Sequence, residues 1–366
     1  MSHASSQPSP RTGDRRVDDP EFQLRLAEAI RECGGDPETF DGRLIHDLIL
    51  TSFKLISDGR GTGELKLMNA AFKELRYAYN VFADYLEPHK VSIFGSARTK
   101  PGHPDYEVTV EFSRLMAAVG WLVITGAGDG IMKAGHEGPG RDASFGLAIR
   151  LPFETTANEV IKGDSKLINF RYFFTRKLMF LSQCEAVVAL PGGFGTQDEL
   201  FECLTLVQTG KSAMVPIVLI EHPQGTYWKH WDNYVRRSLL DNGMISPEDL
   251  NLFYITRDPQ DAVDHILRFY RNYHSSRYYR DDLIIRVQRP LRQGDIDRLN
   301  SEFATIVKSG RIVQRGPYEI EEEFLDLPRL VFTHHRRDYG MVRRLIDRIN
   351  EFDPSDESDL DPSEIY

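Results

Sequence analysis

The stretch ALPGGFGTQDELFE, which begins at Ala189, sets glycines at 192, 193 and 195, a threonine at 196 and carboxylates at 198, 199 and 202. Glycines leave backbone N–H groups unshielded, a following helix aims its positive end at the loop, and the Thr196 hydroxyl adds a donor. The segment therefore suits a phosphate group. It lacks the GxxxxGK[ST] pattern, so transfer of a triphosphate's terminal phosphoryl is not indicated. Thr196 and Glu199 are also spaced as a capping box, in which each side chain bonds the other's backbone N–H. Two readings thus stand side by side, a carboxylate for chemistry and a well-made helix start. A carboxylate beside a phosphate is electrostatically unfavourable, so a chemically active Glu199 would face the sugar of a nucleotide. Asp198 and Glu202 read as solvated or helix-dipole partners.

Two further small-residue turns precede this one. In FGSART, Gly95 permits a tight bend and Ser96 offers a hydroxyl to a phosphate or ribose, although an ordinary strand-to-helix turn has the same composition. In TGAGDGIM the dinucleotide fingerprint GxGxxG is broken, because Ile131 stands where the third glycine belongs, so no nicotinamide cofactor is expected. Upstream, NFRYFFTRKLMFL places Arg171, Arg176 and Lys177 among aromatics. Arg171 and Arg176 lie about 140° apart on a helix, so one of them points inward and the other is a surface cation.

These turns need strands to carry them. KVSIFGSA, WLVITG, FGLAIRLP, AVVALPGG and MVPIVLIE are short apolar or β-branched runs. They alternate with helical patterns at YEVTVEFSRLMAAVG, IMKAGHEGPGRDA, FRYFFTRKLMFLSQC and TQDELFECLTLVQTG. The alternation predicts an α/β fold with a doubly wound parallel sheet, whose ligands lie at the carboxyl ends of the strands. Before it, residues 21–88 carry apolar positions at helical spacing, broken by GRGTG, and predict an N-terminal helical layer. After it, DDLIIRVQ, GDIDRLNSEFATIVK, GRIVQRG, PRLVFTHH and YGMVRRLIDRINEF predict a small C-terminal α+β unit of β-α-β-β-α order over 276–351, with a boundary near NYHSSRYYRDD. The catalytic domain is expected over 89–272, and mobile tails over 1–20 and 352–366.

The chain of 366 residues is 41% hydrophobic and 27% charged, ordinary globular values. Its net charge of -10 and pI of about 5.6 argue against a nucleic-acid polymer or an anionic membrane as partner. No stretch approaches the roughly 18 to 20 apolar residues that span a bilayer, and the N-terminus has no apolar leader core, so a cytoplasmic protein is expected. Cys33, Cys184 and Cys203 lack metal-ligand spacing and read as reduced, mostly buried thiols. His334 and His335 would face opposite sides of a strand, so no metal site is expected.

Taken together, FFTRKLMFLSQCEAVVALPGGFGTQDE resembles the LOG family, phosphoribohydrolases that release the base from nucleoside 5'-monophosphates and often carry the label "lysine decarboxylase-like". The family's PGGxGTxxE appears as Pro191 to Glu199, and its RKxxM as Arg176-Lys177 with Met179 one position early. The likeness covers about residues 90–220 and includes FGSA and GAGDGIM, while GLAIRLPFETTAN is more like the longer bacterial members. The resemblance implies a Rossmann-like homodimer or higher homo-oligomer that uses no cofactor. It implies Glu199 as catalytic carboxylate and Arg176 as its partnering cation. It also implies that Gly192, Gly193, Gly195 and Thr196 hold the 5'-phosphate and that Ser96 and Gly128 line the nucleotide. The expected substrate is a nucleoside 5'-monophosphate, AMP-like or cytokinin-riboside-monophosphate-like, with base choice resting on loops such as residues 152–166. The competing expectation is a nucleotide sensor of the same fold that binds without turnover.

Overall fold

The computed structural model describes residues 17–150 and 157–352. Residues 1–16 of the tail expected over 1–20, residues 353–366 of that expected over 352–366, and residues 152–156 of the loop expected to choose the base lie outside the described residues. The chain divides into two units, one up to Lys73 and one from Glu74. The first contains α1 (Pro20–Glu32), which Asp19 caps, α2 (Phe40–Ser57), which Thr39 caps, and the start of α3 (Thr62–Phe82). Gly59, at φ 61°, lies in the break between α2 and α3, where a left-handed residue ends a helix at little cost.

The second unit is built on a seven-stranded, wholly parallel sheet. In chain order its elements are β1 (Lys90–Phe94), α4 (Pro104–Ala118), β2 (Leu122–Thr125), α5 (Ile131–Glu137), β3 (Ser144–Ile149) and β4 (Leu167–Phe170). They continue with α6 (Phe173–Ser182), β5 (Ala186–Ala189), α7 (Phe194–Gln208), β6 (Ile217–Ile220), α8 (Tyr227–Tyr234), β7 (Tyr254–Thr256) and α9 (Pro259–Phe269). The strands lie in the order β4-β3-β2-β1-β5-β6-β7, so the winding reverses between β1 and β5. A crevice opens at the carboxyl ends of strands where winding reverses, and here FGSA and PGGFGT both fall on it.

The five strands expected from the sequence are all present, and two more extend the sheet. β4 ends at Asn169 and Phe170, where the stretch read as helical begins, and β7 is only three residues long, too short for a periodic signal. The strands at the centre are buried on both faces, as an all-parallel sheet requires. Val91 and Ile93 of β1 enter one apolar cluster, with Phe112 and Met116 of α4 and Ile266 of α9. Phe94 enters the other, with Met179 and Phe180 of α6 and Leu200 and Cys203 of α7.

That second cluster continues into a four-stranded antiparallel sheet of β8 (Tyr273–Tyr279), β9 (Asp282–Val287), β10 (Val307–Arg315) and β11 (Arg329–His334). The helices α10 (Gln293–Glu302) and α11 (Tyr339–Glu351) accompany it. The stretch NYHSSRYYRDD, expected as a boundary, supplies β8, which pairs with β9 from Tyr273 to Tyr279. Its polar residues resemble those of a linker because β8 is an edge strand with one pairing partner. His334 ends β11 buried against Tyr278, and His335 lies beyond the strand.

Candidate active site

The three small-residue turns meet at the reversal point and are joined through their backbones. Leu190 N–H donates to the Phe94 carbonyl at 2.8 Å, Ser96 N–H to the Pro191 carbonyl at 3.2 Å, and Ile131 N–H to the Ser96 carbonyl at 3.0 Å. Gly130, at φ 64°, lets the second turn close on the first, since a Cβ there would overlap the Ser96 carbonyl.

The second turn carries strain and a buried polar brace that holds it. Ala127 adopts φ 61°, a conformation that costs an L-residue roughly 1–2 kcal/mol. Its N–H is held by the Thr125 hydroxyl at 3.1 Å and its carbonyl by Asn158 N–H at 2.8 Å. The Asn158 amide donates to the Gly128 carbonyl at 3.0 Å and lies against His136, which also contacts the Thr125 hydroxyl at 2.9 Å. Burial lowers the His136 pKa and outweighs the raising effect of its hydrogen bonds, so the imidazole is neutral at pH 7.

All eight residues singled out from the sequence line one cavity of about 1220 Å³: Ser96, Gly128, Arg176, Gly192, Gly193, Gly195, Thr196 and Glu199. The sequence did not single out Arg98, Arg150, Asn169, Phe173, Phe180 and Tyr227, which line it as well. Arg98 follows Ser96 by two residues and was within reach of the turn argument. Asn169 belongs to the unread strand β4, and Tyr227 opens a helix after β6, where Gly225 in EHPQGTYW was the available signal.

α7 decides the capping reading of Thr196 and Glu199. The helix begins at Phe194 with Gly193 as its N-cap and no side-chain cap, so Thr196 is already helical and Glu199 lies a full turn inside. The capping box is absent. The first-turn N–H groups of α7 have neither an intrahelical acceptor nor a capping side chain, the condition in which a helix start accepts an anion. No atom lies within 4 Å of a Cβ built on Gly193 or Gly195, whereas one on Gly192 would overlap the Thr196 hydroxyl. Gly193 and Gly195 face open space, and Gly192 is required by packing.

Glu199 is only 6% exposed, and among the described residues no hydrogen bond reaches its buried Oε2. Burial pushes its pKa up to about 7, against the lowering effects of the Lys177 and Arg176 charges. The half-buried Arg176 guanidinium sits 5.0 Å from the Phe173 ring centre and 5.6 Å from that of Phe180. Phe180 thus occupies the position where RKxxM would place its methionine. Arg171 precedes α6 instead of sharing its helix as expected and is exposed against Tyr172, so Arg176 is the inward cation of the pair. α6, which carries Arg176, has no side-chain cap of its own. Instead the Glu74 carboxylate of α3 accepts Arg171 N–H at 2.9 Å and the Thr175 hydroxyl at 2.7 Å.

Lys177 lies behind Glu199, its ammonium 2.7 Å from Asp198 Oδ2 and 2.8 Å from Glu202 Oε2. Asp198 and Glu202 are therefore ion-pair partners rather than merely solvated. Burial acts to lower the Lys177 pKa, but these two bonds outweigh it and raise it.

Residues 127–266 match the family model described as possible lysine decarboxylase. A Mycobacterium tuberculosis protein named cytokinin riboside 5'-monophosphate phosphoribohydrolase is 27% identical over 168 residues, which cover 44% of this chain and 86% of that protein. Both likenesses fall within the parallel-sheet domain and agree with the resemblance to the LOG family. Among solved structures, a molybdenum cofactor binding protein from Rippkaea orientalis is 18% identical, covering 50% of this chain and 97% of that one with a TM-score of 0.35. The molybdenum cofactor carrier protein from Chlamydomonas reinhardtii is 20% identical, covering 50% and 99% with a TM-score of 0.35.

The older decarboxylase label implies pyridoxal phosphate, which needs a lysine amine free to form a Schiff base. The cavity of this chain does not fit that group. No described residue lining it is a lysine, and the nearby Lys177 amine is held by two carboxylates.

Proposed function

We propose that the LOG-family domain hydrolyses the N-glycosidic bond of a nucleoside 5'-monophosphate, giving free base and ribose 5-phosphate. The observation that carries this reading is Glu199, a buried carboxylate without a structural partner at Oε2, on the same helix whose uncapped start forms the glycine loop. Departure of the base builds positive charge on C1' and O4' of the ribose, as in glycoside hydrolysis. Ionised Glu199 stabilises that charge and accepts a proton from the attacking water, and the base, which leaves with the bonding electron pair, takes up the balancing proton. The first-turn N–H groups and Thr196 hold the 5'-phosphate, and that remote grip positions the sugar over Glu199. Arg176, on the cavity wall with its face against Phe173 and Phe180, is the cation that partners the carboxylate.

The protein acts as a homodimer or higher homo-oligomer in this reading. Support comes from apolar side chains left exposed on α6 and at the cavity mouth: Phe173, Phe174 and Leu178 are each about half exposed, and Phe194 is 97% exposed.

Incubation of the protein with a panel of nucleoside 5'-monophosphates, with detection of base and ribose 5-phosphate, tests the activity. Tight nucleotide binding without base release would instead identify a sensor. Light scattering of the same sample tests the assembly.

A further inference from the structure

α8, which no motif marked, reaches the glycine loop through a chain of three hydrogen bonds. Trp231 Nε1 donates to Gln197 Oε1 at 3.0 Å, Gln197 Nε2 donates to the Tyr227 oxygen at 2.8 Å, and the Tyr227 hydroxyl donates to the Gly192 carbonyl at 2.6 Å. The two ends dictate every direction. An indole N–H only donates, so the Gln197 amide presents its oxygen to Trp231 and its NH₂ to Tyr227. A backbone carbonyl only accepts, so the tyrosine proton goes to Gly192.

The tyrosine is itself held firmly. The buried Glu221 carboxylate at the end of β6 accepts Tyr227 N–H at 2.7 Å and so fixes the start of α8. Trp228, fully buried, donates to the Ile220 carbonyl at 2.9 Å. The Tyr227 ring packs edge-on against Trp228 with centres 4.9 Å apart.

We infer that Tyr227 is a positioning residue that sets the orientation of the Gly192–Gly193 peptide, and through it the affinity of the loop for a phosphate monoester. The inference rests on the nucleotide reading above. A trans peptide is planar, with its C=O and N–H pointing in opposite directions. Drawing the Gly192 carbonyl toward Tyr227 therefore turns the Gly193 N–H away from it, to join the first-turn N–H groups of α7 as an anion donor. Freed from Tyr227, a Gly–Gly peptide has little to resist rotation, and a rotated carbonyl would oppose the phosphate. Tyr227 thus acts on the phosphate end of the substrate and not on the glycosidic bond.

The test compares the full-length wild type with Tyr227→Phe, which keeps the ring and removes the hydroxyl, and with Gln197→Leu, which removes the donor that orients it. Three quantities are measured: the inhibition constant of inorganic phosphate, kcat/KM for a nucleoside 5'-monophosphate, and kcat/KM for the matching nucleoside. The lost bond should weaken phosphate by about three- to tenfold, the range of a single hydrogen bond. Nucleotide kcat/KM should fall by a similar factor while nucleoside kcat/KM stays put, and Gln197→Leu should move the same way by less. Equal losses on nucleotide and nucleoside, or unchanged phosphate inhibition with an unshifted Tm, would overturn the inference. If the wild type neither releases base nor is inhibited by phosphate, it is the nucleotide reading that fails.

Discussion

Thr196 and Glu199 are three residues apart on α7, yet neither caps the other, because the helix begins two residues before Thr196. Thr196 is packed against Gly192, and the Glu199 carboxylate is buried facing the cavity with Oε2 lacking a hydrogen bond. A local spacing that describes a helix start is here used one turn too deep to serve as one.

Replacing Glu199 with Gln should therefore lower kcat by roughly 10²- to 10⁴-fold, the usual span for a positioned acid–base group. Nucleotide binding should persist, because the loop N–H groups are untouched. Single-turnover base release and equilibrium binding on the same variant check both parts, and undiminished turnover would remove the role given to Glu199.

The elevated pKa of Glu199 fixes the sign of two pH effects. Catalysis needs the ionised form, so kcat/KM should rise through about pH 7 as pH increases. Stability should run the other way. Below 4.5 the carboxyl is protonated in both states; between 4.5 and about 7 the unfolded chain releases the proton first, so stability falls with rising pH. Glu199→Gln escapes that loss and should gain on the wild type between pH 5 and pH 8, by up to roughly 3 kcal/mol. Denaturant titrations at the two pH values measure the difference.

Lys177 lowers the Glu199 pKa through its charge. Lys177→Met should raise that pKa further and move the acid limb of the pH–rate profile toward higher pH. A profile unchanged in position would show that the Asp198 and Glu202 pairs absorb the lysine's field.

The glycines of the loop should separate binding from folding. Gly195→Ala adds a methyl group into open space inside a helix, so stability should rise by about 0.5–1 kcal/mol while phosphate inhibition weakens. Gly192→Ala drives a methyl into the Thr196 hydroxyl and should destabilise the fold. Thermal unfolding together with phosphate inhibition distinguishes the two.

Asn158→Ala should cost about 1–3 kcal/mol, because it leaves the Gly128 carbonyl and the buried His136 ring short of a partner. Equilibrium unfolding checks the size. The strained Ala127 turn depends on this brace, so nucleotide KM should rise as well.

The sequence by itself determined five of the seven parallel strands and the three turns, and the LOG-family resemblance pointed to the eight residues that line the cavity with them. The strands and turns rest on local physics: apolar runs long enough to be strands, glycines at strand ends, and a helix start after PGG. Longer-range outcomes were decided by the tertiary structure. Whether Thr196 and Glu199 form a cap depends on where α7 begins, and the loop places that start at Phe194. Whether a carboxylate is catalytic in character depends on burial, which comes from α6 and the sheet packing around Glu199. The contacts of Lys177 with Asp198 and Glu202 join two helices, and those of Tyr227 with Gly192 span 35 residues. Pairings of that kind have no signature in spacing, because the partners are neighbours only once β1, β5 and β6 lie side by side.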